Sequence, residues 1–164
     1  MNKLERIKSK VMDEASLRQS LNIWRFKQKK IVFTNGVFDI LHLGHIDYLS
    51  KAKDHGDILI IGVNSDSSAK RLGKGNNRPI TDETSRSTII ASLSFVDAVV
   101  LFDEDTPYNL IKEVQPDILV KGADYKAEDI VGYDIVMAKG GRIETIEFLE
   151  GYSTTLIENR IREF

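Results

Sequence analysis

The sequence contains no cysteine, three prolines and a single tryptophan, and its 25 acidic and 23 basic residues nearly cancel, leaving a net charge of -2. The missing cysteine excludes disulfides, thiolate metal sites and cysteine nucleophiles together, and it fits a reducing compartment, so a cytoplasmic location is expected. Without a basic excess to track a polyanion, extended nucleic-acid binding is not expected. No apolar run approaches the roughly 20 residues that span a bilayer. Met1 to Lys10 are charged and lack the apolar centre of a signal peptide, so no membrane association is expected either. Internal repeats, low-complexity tracts and proline-rich linkers are also missing. What is there, 164 residues with 41% hydrophobic and 29% charged side chains, matches one ordinary globular domain spanning residues 1–164.

Two parts are expected within it, an N-terminal helical segment over residues 1–28 and a core over 29–164. From Leu4 to Phe26 the apolar residues Leu4, Ile7, Val11, Leu17, Leu21 and Trp24 recur at helical spacing, interrupted by the polar stretch Asp13 to Ser16. This predicts two short helices, packed on a sheet edge. Beyond Lys30, short apolar runs alternate with helix-like stretches: Ile31 to Phe33, Ile58 to Val63, Ala98 to Phe102, Ile118 to Val120 and Ile143 to Ile146. That alternation predicts an α/β fold, a five-stranded parallel sheet with helices on both faces. Gly56 is expected to close the helix that begins near Gly44. Thr106-Pro107 reads as a helix cap followed by proline at the first helical position, and Ser153 as the cap of the last helix.

Ligands of an open parallel sheet bind beyond the carboxyl ends of its strands, near a topological switch point, which directs attention to four places. After the first strand come Asn35-Gly36, then Asp39, then His42-Leu43-Gly44-His45 at a helix start. A helix N-terminus offers unpaired N–H groups and partial positive charge, and Gly44 would let a phosphate approach the backbone. The histidine pair is open to other readings: half of a zinc site, which would need a carboxylate such as Asp39 as a third ligand, or surface residues without a role. Lys70 to Pro79 joins several cations to two glycines, as expected of a basic loop that closes over a polyphosphate, or of a solvated surface loop. Lys121-Gly122-Ala123-Asp124-Tyr125 puts a lysine and a carboxylate beside a glycine, for nucleoside contacts or as a plain turn. Gly151-Tyr152-Ser153-Thr154-Thr155 opens the last helix with three hydroxyls, of which capping explains one.

Taken in order, Asn35 to His45, Arg86, Lys121 to Tyr125 and Ser153-Thr154-Thr155 resemble the cytidylyltransferase-like nucleotidyltransferases over about residues 28 to 163. The resemblance implies a Rossmann-like, doubly wound fold and the family's H-x-G-H signature. Thr34 to Asp39, Val63 to Asp66, Asp103 to Pro107 and Leu119 to Tyr125 are similar to the subgroup that adenylylates D-glycero-β-D-manno-heptose 1-phosphate, in which the domain stands alone or fused to a sugar kinase. No kinase domain is present in these 164 residues. The alternative subgroup, cytidylyltransferases acting on glycerol 3-phosphate, usually carries arginines where this chain has Phe148 and Ser94, which favours ATP over CTP. A non-catalytic nucleotide-binding module is the alternative from another class.

The resemblance also implies the roles. His42, His45 and Lys74 would act on the reacting phosphates, and Asn35 and Gly36 would lie against phosphate or sugar. Arg78 would join from the basic loop, and Arg86 would brace that loop or touch a phosphate. Lys121, Gly122 and Asp124 would lie by the nucleoside. Ser153, Thr154 and Thr155 would hold the β- and γ-phosphates. Phe38, Gly44 and Asn64 complete the nucleotide-binding set. Magnesium would be held mainly by the substrate phosphates and water, with no protein ligand, and Asp39 would orient backbone and histidines. The partners implied are ATP, a sugar 1-phosphate and a second copy in a homodimer.

Overall fold

The computed structural model describes residues 1–73, 78–123 and 126–163; Lys74, Asp124 and Tyr125, all of interest in the sequence, lie outside that set. Two helices come first, α1 (Lys3–Lys8) and α2 (Glu14–Phe26). Asn2 and Glu5 form a reciprocal capping box on α1, and the Asp13 carboxylate accepts from Ser16 N at the start of α2. The polar stretch that interrupts the apolar spacing therefore contains the second cap.

The remaining elements alternate as expected: β1 (Ile31–Gly36), α3 (Leu43–Asp54), β2 (Ile58–Asn64), α4 (Asp66–Arg71), α5 (Glu83–Ser92), β3 (Ala98–Phe102), α6 (Tyr108–Val114), β4 (Ile118–Gly122), α7 (Tyr133–Ala138), β5 (Arg142–Ile146) and α8 (Thr154–Arg162). The five strands are all parallel, in the order β3-β2-β1-β4-β5. The order turns back on itself between β1 and β4, so the chain crosses the sheet in opposite directions and leaves a crevice beyond the carboxyl ends of those strands. β1, β2 and β4 run further than the apolar runs suggest, ending on Gly36, Asn64 and Gly122, because ladder pairing continues into the polar residues at the crevice.

Strand alternation divides the core. Ile31, Phe33, Ile60, Val100 and Leu119 point to one face, which α2, α6 and α7 cover through Leu17, Leu21, Leu110, Ile111 and Val136. Val32, Leu59, Ile61, Val99 and Val120 point to the other, covered by α3 and α5 through Tyr48, Leu49, Ala52, Ile90 and Ala91. Each fully buried side chain of this size contributes roughly 1.5–3 kcal/mol. The N-terminal segment does pack on the sheet edge: Val11 bridges to Val99 in parallel, with Val99 N donating to Lys10 O at 2.8 Å and Met12 N to Val99 O at 2.9 Å.

Two local expectations change. Gly56 follows the end of α3, but the right-handed His55 is the cap. A side chain on Gly56 would meet Val32 Cγ2 at 2.7 Å and Lys30 O at 2.9 Å, so close approach to β1 explains this glycine rather than a left-handed stop. Pro107, not Thr106, occupies the cap of α6, one residue later than the pattern suggests.

Candidate active site

Beyond the carboxyl ends of β1, β2 and β4 lies a cavity of about 450 Å³. The loop leaving β1 forms its floor, and that loop is strained. Phe38 has φ of +52° and Ile40 of +49°, left-handed conformations that are uncommon for any side chain and costly for a β-branched one. Three distant segments hold it in place. The Asp39 carboxylate, 5% exposed, accepts from Ile80 N at 2.8 Å, Thr81 N at 3.0 Å and Thr81 Oγ1 at 2.8 Å. Asp39 O accepts from Thr154 Oγ1 at 2.7 Å, and Val37 O from Arg86 Nη1 at 2.7 Å. Burial works to raise the Asp39 pKa, but the donors from Ile80 and Thr81 and the Arg86 charge outweigh it and hold the carboxyl below its usual range. It orients the loop as an anion.

The loop delivers His42 to the N-terminus of α3. Asn2, Asp13, Ser65, Asp82 and Ser153 all cap their helices with a side-chain oxygen, whereas His42 makes no such bond. The His42 and His45 rings stack, with centroids 3.8 Å apart and planes at 21°, and Phe38 meets His45 edge-on at 5.4 Å. Nδ1 of both rings is buried without a hydrogen-bond partner, a cost of about 1–3 kcal/mol each that a folded protein rarely tolerates unless something else satisfies the atom. Burial lowers the pKa of His42. For His45, burial and then the neighbouring His42 push it down to about 4, against a smaller opposing pull from Asp39. Both rings are therefore neutral near pH 7, each with one N–H to donate.

Gly44 has a packing role that the motif alone does not show. A side chain there would lie 3.0 Å from His42 Nδ1 and 3.1 Å from Tyr152 Cβ, so the glycine makes room for the His42 ring. His42 and Ser153 border a groove between the starts of α3 and α8, together with Tyr152 and Arg160.

The remaining expected residues fall into three groups. Asn35, Gly36, Phe38, His45, Asn64, Arg78, Lys121, Gly122 and Thr154 all line the cavity. Arg86 does not reach it: the side chain is 1% exposed and donates to Thr81 O, Val37 O and Asp66 Oδ1, so in the structure it is a brace. Thr155 reaches the site only through Arg78, whose Nη2 donates to Thr155 Oγ1 at 3.3 Å while its guanidinium is held on both Glu158 oxygens at 2.7 and 2.9 Å. The three hydroxyls thus have separate structural tasks, with Ser153 Oγ accepting from Leu156 N, Thr154 tying down Asp39 and Thr155 meeting Arg78.

Sequence reasoning overlooked several cavity residues, and it used Phe148 only to weigh the nucleotide. Tyr48 follows His45 by one helical turn and shares its face, a spacing that was readable; its hydroxyl pairs with Thr34 Oγ1 at 2.9 Å, and burial pushes its pKa up to about 12. Phe148 fills the space a Gly122 side chain would take and packs its ring 5.6 Å from Tyr48. Asp129, Ile130 and Val131, in and after a 3₁₀ turn (Ala127–Asp129), carry no local signal that places them there. Ser94, weighed with Phe148 in the choice of nucleotide, is exposed in the turn before β3, at the amino end of the sheet and away from the cavity. Only Phe148 of that pair bears on a ligand here.

Comparison with known proteins bears on this geometry. Residues 33–160 match the sequence model of the family described as Cytidylyltransferase-like. The bifunctional protein HldE of Syntrophotalea carbinolica is 52% identical over 153 residues, covering 93% of this chain and 31% of the relative; that of a Nitratiruptor species is 60% identical over 134 residues, covering 82% and 28%. The chain thus spans about a third of the length of the curated relatives it matches. Among solved structures, a lipopolysaccharide core biosynthesis protein from Thermoplasma volcanium superposes with a TM-score of 0.60 at 35% identity, covering 76% of this chain and 99% of that one. A pantoate-beta-alanine ligase from Francisella tularensis, at 20% identity and a TM-score of 0.61 over 94% of this chain and 78% of its own, shares the fold. The crevice, the strained loop and the unsatisfied histidine pair all lie within the matched residues, and the chain belongs to the cytidylyltransferase-like family of nucleotidyltransferases.

Proposed function

We propose that this protein is an adenylyltransferase that moves AMP from ATP to a sugar 1-phosphate, D-glycero-β-D-manno-heptose 1-phosphate, giving ADP-heptose and pyrophosphate. The observation that carries the reading is the stacked, neutral histidine pair with two buried, unpartnered Nδ1 atoms at a helix start that no side chain caps. A phosphate chain there would meet imidazole N–H groups and helix N–H groups together. An oxygen of the acceptor's 1-phosphate attacks the α-phosphorus and forms a P–O bond. The bond to the bridging oxygen breaks, and its electron pair leaves with pyrophosphate. The nucleophile is already an anion at neutral pH, so the protein's contribution is alignment and charge stabilisation rather than proton abstraction. Lys74 from the basic loop is assigned to the transferring group, Asp124 to the nucleoside, and Arg78 to the nucleotide phosphates, already held in position by Glu158.

Magnesium fits this site only as a companion of the phosphates. Among the described residues no three His, Asp or Glu side chains converge on a common point, and Asp39 already accepts three hydrogen bonds. When bound, the ion would screen the phosphate charges, held by phosphate oxygens and water and not by side chains of this protein. The heptose reading rests on the subgroup motifs from Thr34 to Tyr125, and likeness to the HldE proteins is in keeping with it. Phe148, an aromatic ring in the cavity where cytidylyltransferases usually carry arginine, favours ATP.

The test is pyrophosphate release from ATP and from CTP, each offered with heptose 1-phosphates and with glycerol 3-phosphate. Turnover of ATP with a heptose 1-phosphate, at least tenfold above every other pair, is expected. A preference for CTP with glycerol 3-phosphate would move the protein to the other subgroup, and ATP binding without pyrophosphate from any acceptor would make it a binding module.

A further inference from the structure

The residues at the strand ends do not all face the same way. Thr34 and Gly36 point to the α3 side of the sheet, where Thr34 meets Tyr48 and the Phe38 ring covers Gly36. Asn35 lies between them and points to the opposite side, where its Cβ faces Gly62 next to Phe33 and Leu110 of the α6 cluster. Lys121 follows Val120 of the α3-side core and precedes Gly122, whose open side is filled by Phe148, so alternation puts Lys121 on the α6 side with Asn35. Its Nζ donates to Asn35 Oδ1. Asn64, next to Val63 of the α3-side core, also turns to the α6 side. The cavity therefore straddles the sheet: His45 and the aromatic rings of Phe38, Tyr48 and Phe148 line one half, and an ammonium, two carboxamides and the carboxylate of Asp129 line the other.

We propose that this second half is the acceptor subsite, with Lys121 binding the acceptor's phosphate and Asn64 and Asp129 binding hydroxyls of a polyhydroxylated sugar. The assignment rests on the adenylyltransferase reading, and it moves Lys121 from the nucleoside, where the family resemblance puts it, to the other substrate. The chemistry suits the ligand. Among the described residues Lys121 pairs with a neutral amide and no carboxylate, and burial pushes the ammonium pKa down to about 8, so an anion is the partner that would offset the cost of burying its charge. Carboxamide and carboxylate groups satisfy vicinal hydroxyls, whereas a purine ring calls for the aromatic and glycine-lined half around Phe148. The division also places the two phosphates on either side of the end of β1, which suits in-line attack.

Steady-state kinetics of Lys121→Met, which keeps side-chain length without charge, tests the assignment. The KM for the sugar 1-phosphate should rise about 20-fold or more, the scale of one charge-assisted hydrogen bond, while the KM for ATP stays within about twofold. Asp129→Ala should raise the acceptor KM alone, by less. Calorimetric titration of ATP into each variant without acceptor should give the wild-type Kd, which shows that the fold and the nucleotide half are intact. A raised KM for ATP with an unchanged acceptor KM would return Lys121 to the nucleotide, and unchanged values for both would remove it from the site. If the wild type releases no pyrophosphate with any acceptor, the adenylyltransferase reading fails by itself. Direct titration of heptose 1-phosphate then decides the subsite: binding lost in Lys121→Met supports it, and equal binding in both proteins, or none in either, overturns it.

Discussion

The starts of α3 and α8 lie side by side, and they treat the same physical problem in opposite ways. Each helix begins with N–H groups that lack intrahelical acceptors. At α8 the protein supplies its own acceptor, the Ser153 hydroxyl taking Leu156 N, while the Thr154 and Thr155 hydroxyls are engaged elsewhere, by Asp39 O and Arg78. At α3 the cap position holds a histidine that makes no capping bond, and two imidazole nitrogens are left buried and unsatisfied. A region optimised for stability completes its hydrogen bonds internally, and a region that waits for a ligand does not. The strained Phe38 to Ile40 loop belongs to the second kind, and the bonds from Thr81, Thr154 and Arg86 are what hold it.

The largest effect that would break this contrast is expected at the brace. Arg86→Ala removes three donors and leaves Asp66 without its 2.7 Å partner, so unfolding stability should fall by about 3 kcal/mol, measured by urea denaturation. A loss under about 1 kcal/mol would mean that the loop needs no such support. Next is His45→Ala, which should lower kcat about 100-fold or more, the scale of deleting one preorganised donor, while stability changes little because a buried unsatisfied atom goes with the ring. Full turnover would end the case for the open helix start as the reacting centre.

Much of this contrast was legible in the sequence, and the parts that were not share a cause. Apolar runs and turn residues marked the five strands, and the motif's position after the first strand marked the helix start that brings His42 and His45 together, though not their stacking. Ser153 was readable as a cap because the signal is local. Gly44 and Arg86 were not readable in the same way: both carry motif positions whose meaning depends on what lies across the fold, the His42 ring and Tyr152 for one, the Thr81 and Val37 carbonyls for the other. Ser94 is the reverse case, a motif position that the chain direction carries to the far end of the sheet. That Lys121 and Asn35 share one side of the sheet and pair with each other was not legible either, because it depends on strand register across the fold.

A smaller effect sharpens the comparison from the closed side. Ser153→Ala deletes the cap of α8 and should cost about 1 kcal/mol of stability, read as a shift in the urea midpoint. If capping is its main task, kcat should fall less than tenfold. A fall equal to that of His45→Ala would show that the α8 start binds phosphate as directly as the α3 start does.

A pH dependence confined to the open side tests the same contrast without any catalytic readout. In the unfolded chain His45 titrates near the ordinary histidine value of 6.5, and in the fold burial and the adjacent His42 hold it at about 4. The folded state therefore refuses a proton that the unfolded state accepts. The stability this contributes is complete above pH 6.5 and is lost as pH falls toward 4, with a slope of at most one proton. His42, lowered by burial, adds in the same direction, whereas the carboxylates whose pKa values are depressed, Asp39 and Glu158 among them, begin to matter only nearer their unfolded values around pH 4. Urea midpoints measured between pH 7 and 5 should decline in the wild type and in Ser153→Ala alike. They should decline less in His45→Gln, which keeps a polar side chain but cannot titrate, and an unchanged slope in that variant would place the proton-excluding environment somewhere other than the start of α3.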